Sequence, residues 1–174
     1  EDAREYVVVH NAVPGGLERT IVDRLEMDPT KIKNLKLTGK ITYVDYSFMR
    51  NKMTGLLRLN LKEVESVVNG VYAIPESAFS GKTTLIKCVL PDKLERIGSS
   101  AFSGTSLTGT LLLPEGLKYV SGFGSTKITN VQFPSTLEII GGERASGNAF
   151  SDCKSLMCEL SFPSSLKKIE SGAF

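Results

Sequence analysis

The chain has no tryptophan, one histidine (His10) and three cysteines (Cys88, Cys153, Cys158) in 174 residues. A single histidine excludes a histidine metal cluster. It also makes any Ser-His-Asp or Cys-His site depend on His10, which reads as an ordinary residue of an N-terminal strand. Three cysteines are too few for a disulfide scaffold. No apolar run approaches the roughly 18 residues of a membrane-spanning helix. Neither sign of charge dominates: 21 lysines and arginines face 19 aspartates and glutamates, a net charge of +2. That balance argues against a chain-wide nucleic-acid or membrane footprint. No Asn-x-Ser/Thr sequence occurs, so N-glycosylation is not indicated. The chain opens on Glu1-Asp2 without a methionine or a signal-like stretch, and is expected to be a mature form or a cut-out piece.

What is present is repetition. The hydrophobic content of 41% suffices for one substantial core. One phrase occurs four times: a proline, an aliphatic three residues on, and another three after that. The copies are Pro91/Leu94/Ile97, Pro114/Leu117/Val120, Pro134/Leu137/Ile140 and Pro163/Leu166/Ile169. Each leads to a phenylalanine after a small residue: Ala101-Phe102, Gly122-Phe123, Ala149-Phe150 and Ala173-Phe174, with an earlier Ala78-Phe79. A period in the twenties is the signature of stacked coils, in which each repeat buries its apolar face against the next.

The residues before each proline alternate. One column holds Leu90, Leu113, Phe133 and Phe162, and two residues earlier Cys88, Leu111, Val131 and Leu160. This period of two places them on one face of a short strand. The opposite columns hold Val89, Leu112, Gln132 and Ser161, and Lys87, Thr110, Asn130 and Glu159. The first face is uniformly apolar and builds a core. The second varies freely and is available as a surface. Proline ends the strand because it lacks the N–H that a ladder needs.

The intervals between Phe79, Phe102, Phe123, Phe150 and Phe174 are 23, 21, 27 and 24 residues. The long one contains Gly141-Gly142-Glu143-Arg144-Ala145-Ser146-Gly147, read as an insertion on the back of a coil. The first part is less regular. Tyr6 to His10 suggests a strand, and Leu17, Ile21, Val22 and Leu25 share a helical face. Ile32, Leu35 and Leu37 suggest a second strand, and Ile41, Val44 and Phe48 a short helix or turn. Leu57 to Leu61 reads as a repeat strand, with Val64 and Val67 continuing the three-residue step. Residues 1–55 are expected to cap the array and residues 56–174 to form about five repeats, the last cut off mid-coil.

These phrases resemble the BspA-like leucine-rich repeats of Bacteroides-type bacterial surface proteins, which read roughly L-P-x-x-L-x-x-I-x-x-x-A-F-x-x-C-x-x-L. Leu90-Pro91 through Ala101-Phe102 to Leu107 matches best, and Phe162-Pro163 through Ala173-Phe174 nearly as well. Ala149-Phe150, Cys153 and Leu156 supply the other half. Gly122 in place of alanine, the insertion, and the missing turn cysteines are departures. The resemblance implies an exported, surface-attached protein linked to adhesion. The implied fold is α/β: a leucine-rich-repeat solenoid with a parallel sheet on one side, short helical or irregular segments on the other, and an α/β N-terminal cap.

Several sequences mimic active sites. Gly81-Lys82-Thr83-Thr84 has the tail of a phosphate-binding loop, but the required earlier glycine is Glu76. It aligns with the polar turns after Phe102 and Phe150 and reads as a repeat turn. Gly122-Phe123-Gly124 lacks the later glycine and the strand-to-helix context of a dinucleotide site. Lys31, Lys33, Lys36 and Lys40 form a small basic cluster; Lys31 and Lys33 share strand parity, and a solvated strand face is the favoured account. Cys88 and Cys153 read as buried thiols acting as small hydrophobes, while a Cys153–Cys158 bridge has only proximity in its favour.

The candidate binding surface is therefore the outward column of Arg58, Lys87, Val89, Thr110, Leu112, Asn130, Gln132 and Glu159. Val89 and Leu112 are expected side by side on adjacent strands. The leading expectation is a non-enzymatic binding module for a protein or glycoprotein surface. It uses no cofactor, metal or nucleic acid and works outside a bacterial cell. The alternatives are a structural spacer without its own ligand and an accessory domain of a larger enzyme. An open C-terminal coil makes end-to-end self-association plausible.

Overall fold

Leu35, Leu37 and Ile41, alternating with polar residues, form the inward row of a strand, and Leu59 and Leu61 do the same one coil later. All five are buried. The computed structural model that places them describes residues 5–141 and 148–174. The predicted insertion, beyond Gly141, lies outside the described residues. Strands β1 (Val7–Asn11), β2 (Asn34–Ile41) and β3 (Arg58–Val68) run parallel, with β1 at the edge.

Between β1 and β2 the chain makes a short helical passage. Its main part, Arg19–Arg24, is a π-helix, and Leu25 N donates to Thr20 O, five residues back. This wider winding changes which residues share a face. Leu17 and Ile21 are fully buried, whereas Val22 and Leu25, expected beside them, are exposed. Helix α1 (Tyr43–Lys52) follows β2, opened by a capping box from Thr42 and Asp45. Its buried face is Asp45, Tyr46, Phe48 and Met49; the expected Val44 points outward. Asp45 accepts from the Gly15, Leu17 and Thr42 amides at 2.8, 3.0 and 2.9 Å, joining the helix to the π-turn.

Strand β3 does not take the expected three-residue step at Val64 and Val67. It runs to Val68 and folds back through Asn69-Gly70 into antiparallel β4 (Val71–Ile74). Both turn residues have positive φ, 51° and 76°, as a type I′ hairpin turn requires.

From there the chain repeats. Strands β5 (Lys87–Val89), β7 (Thr108–Leu112) and β9 (Lys127–Gln132) precede the prolines. The second aliphatic of each phrase falls on a two-residue strand: β6 (Arg96–Ile97), β8 (Tyr119–Val120), β10 (Ile139–Ile140) and β11 (Lys168–Ile169). These pair in parallel in the order β4-β6-β8-β10-β11. The back of the coils is thus short strands and turns rather than short helices. The repeat phenylalanines form a column: Phe79, Phe102, Phe123, Phe150 and Phe174 have successive centroid separations of 5.5, 5.0, 5.7 and 5.5 Å. The first four are buried and their amides tie coil to coil, Phe102 N donating to Gly122 O and Phe123 N to Ala149 O. One apolar cluster runs from Val9 to Ala173.

Candidate recognition face

The outward side chains inherit their positions from the strand register. Asn34, Arg58 and Lys87 are successive partners across β2, β3 and β5; so are Lys36, Asn60 and Val89. On the other sheet Thr110 faces Asn130, and Leu112 faces Gln132. The alternation separates the two faces as expected. Leu90, Leu111, Leu113 and Val131 are buried, while Lys87, Thr110, Gln132 and Leu112 are exposed, Leu112 at 63%. Arg58, Val89 and Asn130 are half-buried. The Arg58 guanidinium donates to Asn34 Oδ1 at 3.3 Å.

Two expectations fail. Glu159 is exposed but lies on no strand, since residues 156–160 form no ladder with β9. Glutamate is depleted in strands, and the segment is tied to β9 by a side chain instead, Cys158 Sγ donating to Asn130 Oδ1. Val89 and Leu112 are not neighbours on paired strands. Strand β5 pairs with β3, β7 pairs with β9, and no ladder joins β5 to β7. Gly109 marks the cause: its φ of +78° takes β7 out of the pleat, and the register against β9 slips between Gly109 and Thr110. Glycine inside a strand is the sequence signal for such a break.

The two strands instead flank a groove of about 480 Å³. Its lining includes Cys88, Leu90, Leu107, Leu111, Leu113 and Ile128, with Arg58, Lys62, Lys87 and Asp92 among its polar members. Sequence reasoning missed Lys62 and Asp92, which form a 2.8 Å ion pair between consecutive coils. Cys88 is half-buried along the groove, and burial pushes its thiol up to about 12. It is a neutral, unreactive group at physiological pH.

The other residues singled out from sequence have structural partners. Lys82 is buried and donates to the Arg50 and Met53 carbonyls at 3.2 and 2.8 Å, closing the C-terminus of α1. Burial lowers its pKa from the ordinary lysine value. Gly122 and Gly124 accept the Phe102 and Gly104 amides through their carbonyls. His10 is exposed and 2.8 Å from Thr38 Oγ1. Lys31 sits in a 3-10 turn (Pro29–Lys31), so it shares no strand face with Lys33; Lys36 pairs with Glu63 at 2.8 Å. The three cysteines are unbridged: Cys153 donates to Phe123 O at 3.1 Å and Cys158 to Asn130 Oδ1 at 3.3 Å. Among the described residues, no helix is long and apolar enough to cross a membrane.

Comparison with known proteins agrees with this architecture. The family model described as "BspA type Leucine rich repeat region (6 copies)" matches residues 119–174. A crystal structure of a leucine-rich repeat protein from Bacteroides ovatus superposes with a TM-score of 0.59 at 20% identity. The match covers 94% of this chain and 48% of that one, so the chain spans about half the length of that relative. No curated protein matches. The regular structure is mostly sheet with parallel strands and has the fold of a leucine-rich repeat protein, and residues 119–174 match the BspA-type leucine-rich repeat model.

Proposed function

We propose that the chain is a non-enzymatic recognition module that binds a protein or glycoprotein surface through Arg58, Lys87, Val89, Thr110, Leu112, Asn130 and Gln132. Its place of action is the outer surface of a bacterium, by analogy with the surface-associated proteins of the BspA-like type. In this reading the coils of residues 56–174 are a short solenoid and residues 1–55 its cap. Glu159, off the strands, contributes at the margin.

The observation that carries the reading is the contrast between the two faces of β5, β7 and β9. Inward positions are apolar and buried; outward ones vary in chemistry and expose a leucine, Leu112, beside an apolar groove. Large apolar surface left open beside a concavity is characteristic of interaction sites.

The test is binding of the purified chain to arrayed matrix proteins, mucins and bacterial surface extracts at physiological salt. The double change Val89→Ser and Leu112→Ser is expected to weaken a saturable hit by about tenfold or more. The melting temperature should move by no more than about 2 °C. A folded chain that binds nothing on the array would favour a spacer, with the function carried elsewhere in a longer protein.

A further inference from the structure

We infer that the slit between β5 and β7 accepts an extended peptide strand from a partner protein, with apolar and acidic side chains alternating along it. This deepens the recognition reading above and rests on it.

The slit is a gap between the ladder of β2, β3 and β5 and that of β7 and β9. Before it, Ser106 N donates to Leu85 O at 3.0 Å and Ser106 Oγ to Thr83 O at 2.6 Å. Beyond it, Lys118 N donates to Glu95 O at 2.8 Å. Between these two joints the strands part, and each turns toward the other an edge that no ladder joins.

Facing strand edges offer main-chain donors and acceptors at strand spacing, which an extended polypeptide matches residue by residue and an acyl chain does not. The volume of about 480 Å³ lies within the roughly 300–1,000 Å³ of ligand-binding clefts.

Side-chain chemistry fixes the kind of strand. The lining is leucine-rich, through Leu90, Leu107, Leu111 and Leu113, so alternate peptide residues pointing inward must be apolar. Three lining side chains are cationic (Arg58, Lys62, Lys87) and one is anionic (Asp92). The Lys62–Asp92 ion pair cancels internally, and the lining keeps a net positive charge. Residues pointing outward therefore gain from being acidic.

The experiment is selection of a random dodecapeptide display library on the purified chain. Fluorescence anisotropy and amide hydrogen exchange are then run with the enriched peptides. Enrichment of alternating Val/Ile/Leu and Asp/Glu is expected. The variant Arg58→Glu/Lys87→Glu should bind the enriched peptide about tenfold or more weakly. The same peptide N-methylated at alternate residues should lose binding to the unaltered protein, a control that needs no variant to fold. Bound peptide should slow exchange of amides within 86–90 and 107–113 by about tenfold or more.

No enrichment, a basic consensus, or binding that survives both the charge reversal and N-methylation would overturn the proposal. So would protection of the slit amides by a second copy of the chain in the absence of peptide. An arrayed macromolecule that binds while the slit amides exchange unchanged would remove the slit and leave the recognition module standing.

Discussion

At Gly122 the departure from the repeat pattern is a steric requirement. The other copies place alanine there, at Ala78, Ala101, Ala149 and Ala173. Gly122 has φ +90°, and a β-carbon on it would lie 2.4 Å from Gly98 O and 2.6 Å from Ala101 N. Its coil is also the shortest, 21 residues from Phe102 to Phe123. The tighter turn brings the backbone against the preceding coil, and only glycine fits. Gly122→Ala should cost about 3 kcal/mol, from the left-handed backbone and the contact together. Urea denaturation measures it, and a loss below about 0.5 kcal/mol would show that the coil relaxes freely. The third position after each phenylalanine has a comparable logic. It is occupied by Lys82, Thr105, Thr126 and Cys153, chemically unlike residues. Thr105 and Thr126 each donate to the carbonyl of their own phenylalanine at 2.8 Å, and Cys153 donates to Phe123 O. The position takes a donor that turns inward, threonine to its own phenylalanine and Cys153 to that of the preceding coil.

Helix α1 is held at both ends by side chains from elsewhere in the chain. Asp45 gathers three amides at its start, and Lys82 reaches two carbonyls at its finish. Because Asp45 also holds the amides of Gly15 and Leu17, removing it should loosen the π-turn as well as the helix. Asp45→Ala is expected to cost about 2–4 kcal/mol, leaving three donors without their acceptor. Amide exchange should accelerate from residue 15 to about residue 25 and in the first turn of α1. Uniform acceleration across the molecule would instead mean that Asp45 contributes only global stability. None of this was legible in the sequence. A buried aspartate in the first turn of a helix announces a cap, but not the loop 30 residues away that shares it. The inward columns and the phenylalanine column were legible because a period of two and a repeated phrase record burial directly. The π-winding, the Asn69-Gly70 hairpin and the parting of β5 from β7 were not. They depend on hydrogen-bond spacing, the sign of φ and register between coils, which hydrophobic pattern does not encode. For the candidate surface, the alternation told outward from inward positions on β5, β7 and β9, while the place of Glu159 off the strands and the gap between β5 and β7 were not legible.

Taken across the whole molecule, the slit raises the question of what couples the coils on either side. On the strand side the backbone joint is at Ser106, whose amide donates to Leu85 O. Continuity is supplied by the opposite side, where β6 pairs with β8 and Phe102 N donates to Gly122 O. It is also supplied by the phenylalanine column, in which Phe102 and Phe123 stack at 5.0 Å, the shortest separation in the column. Phe123 is fully buried between Phe102 and Phe150. Truncating it should therefore do more than remove a core side chain. Phe123→Ala is expected to cost about 3–5 kcal/mol. Because stacked coils share stability mainly with their neighbours, the loss should fall on the coils from β7 onward. Calorimetry should then resolve two transitions where the unaltered chain is expected to give one, and residues 7–74 should keep their exchange protection through the first. A single transition, displaced but equally sharp, would show that coupling across the slit is carried by the backbone pairing of β6 and β8, with the stacked rings contributing burial alone.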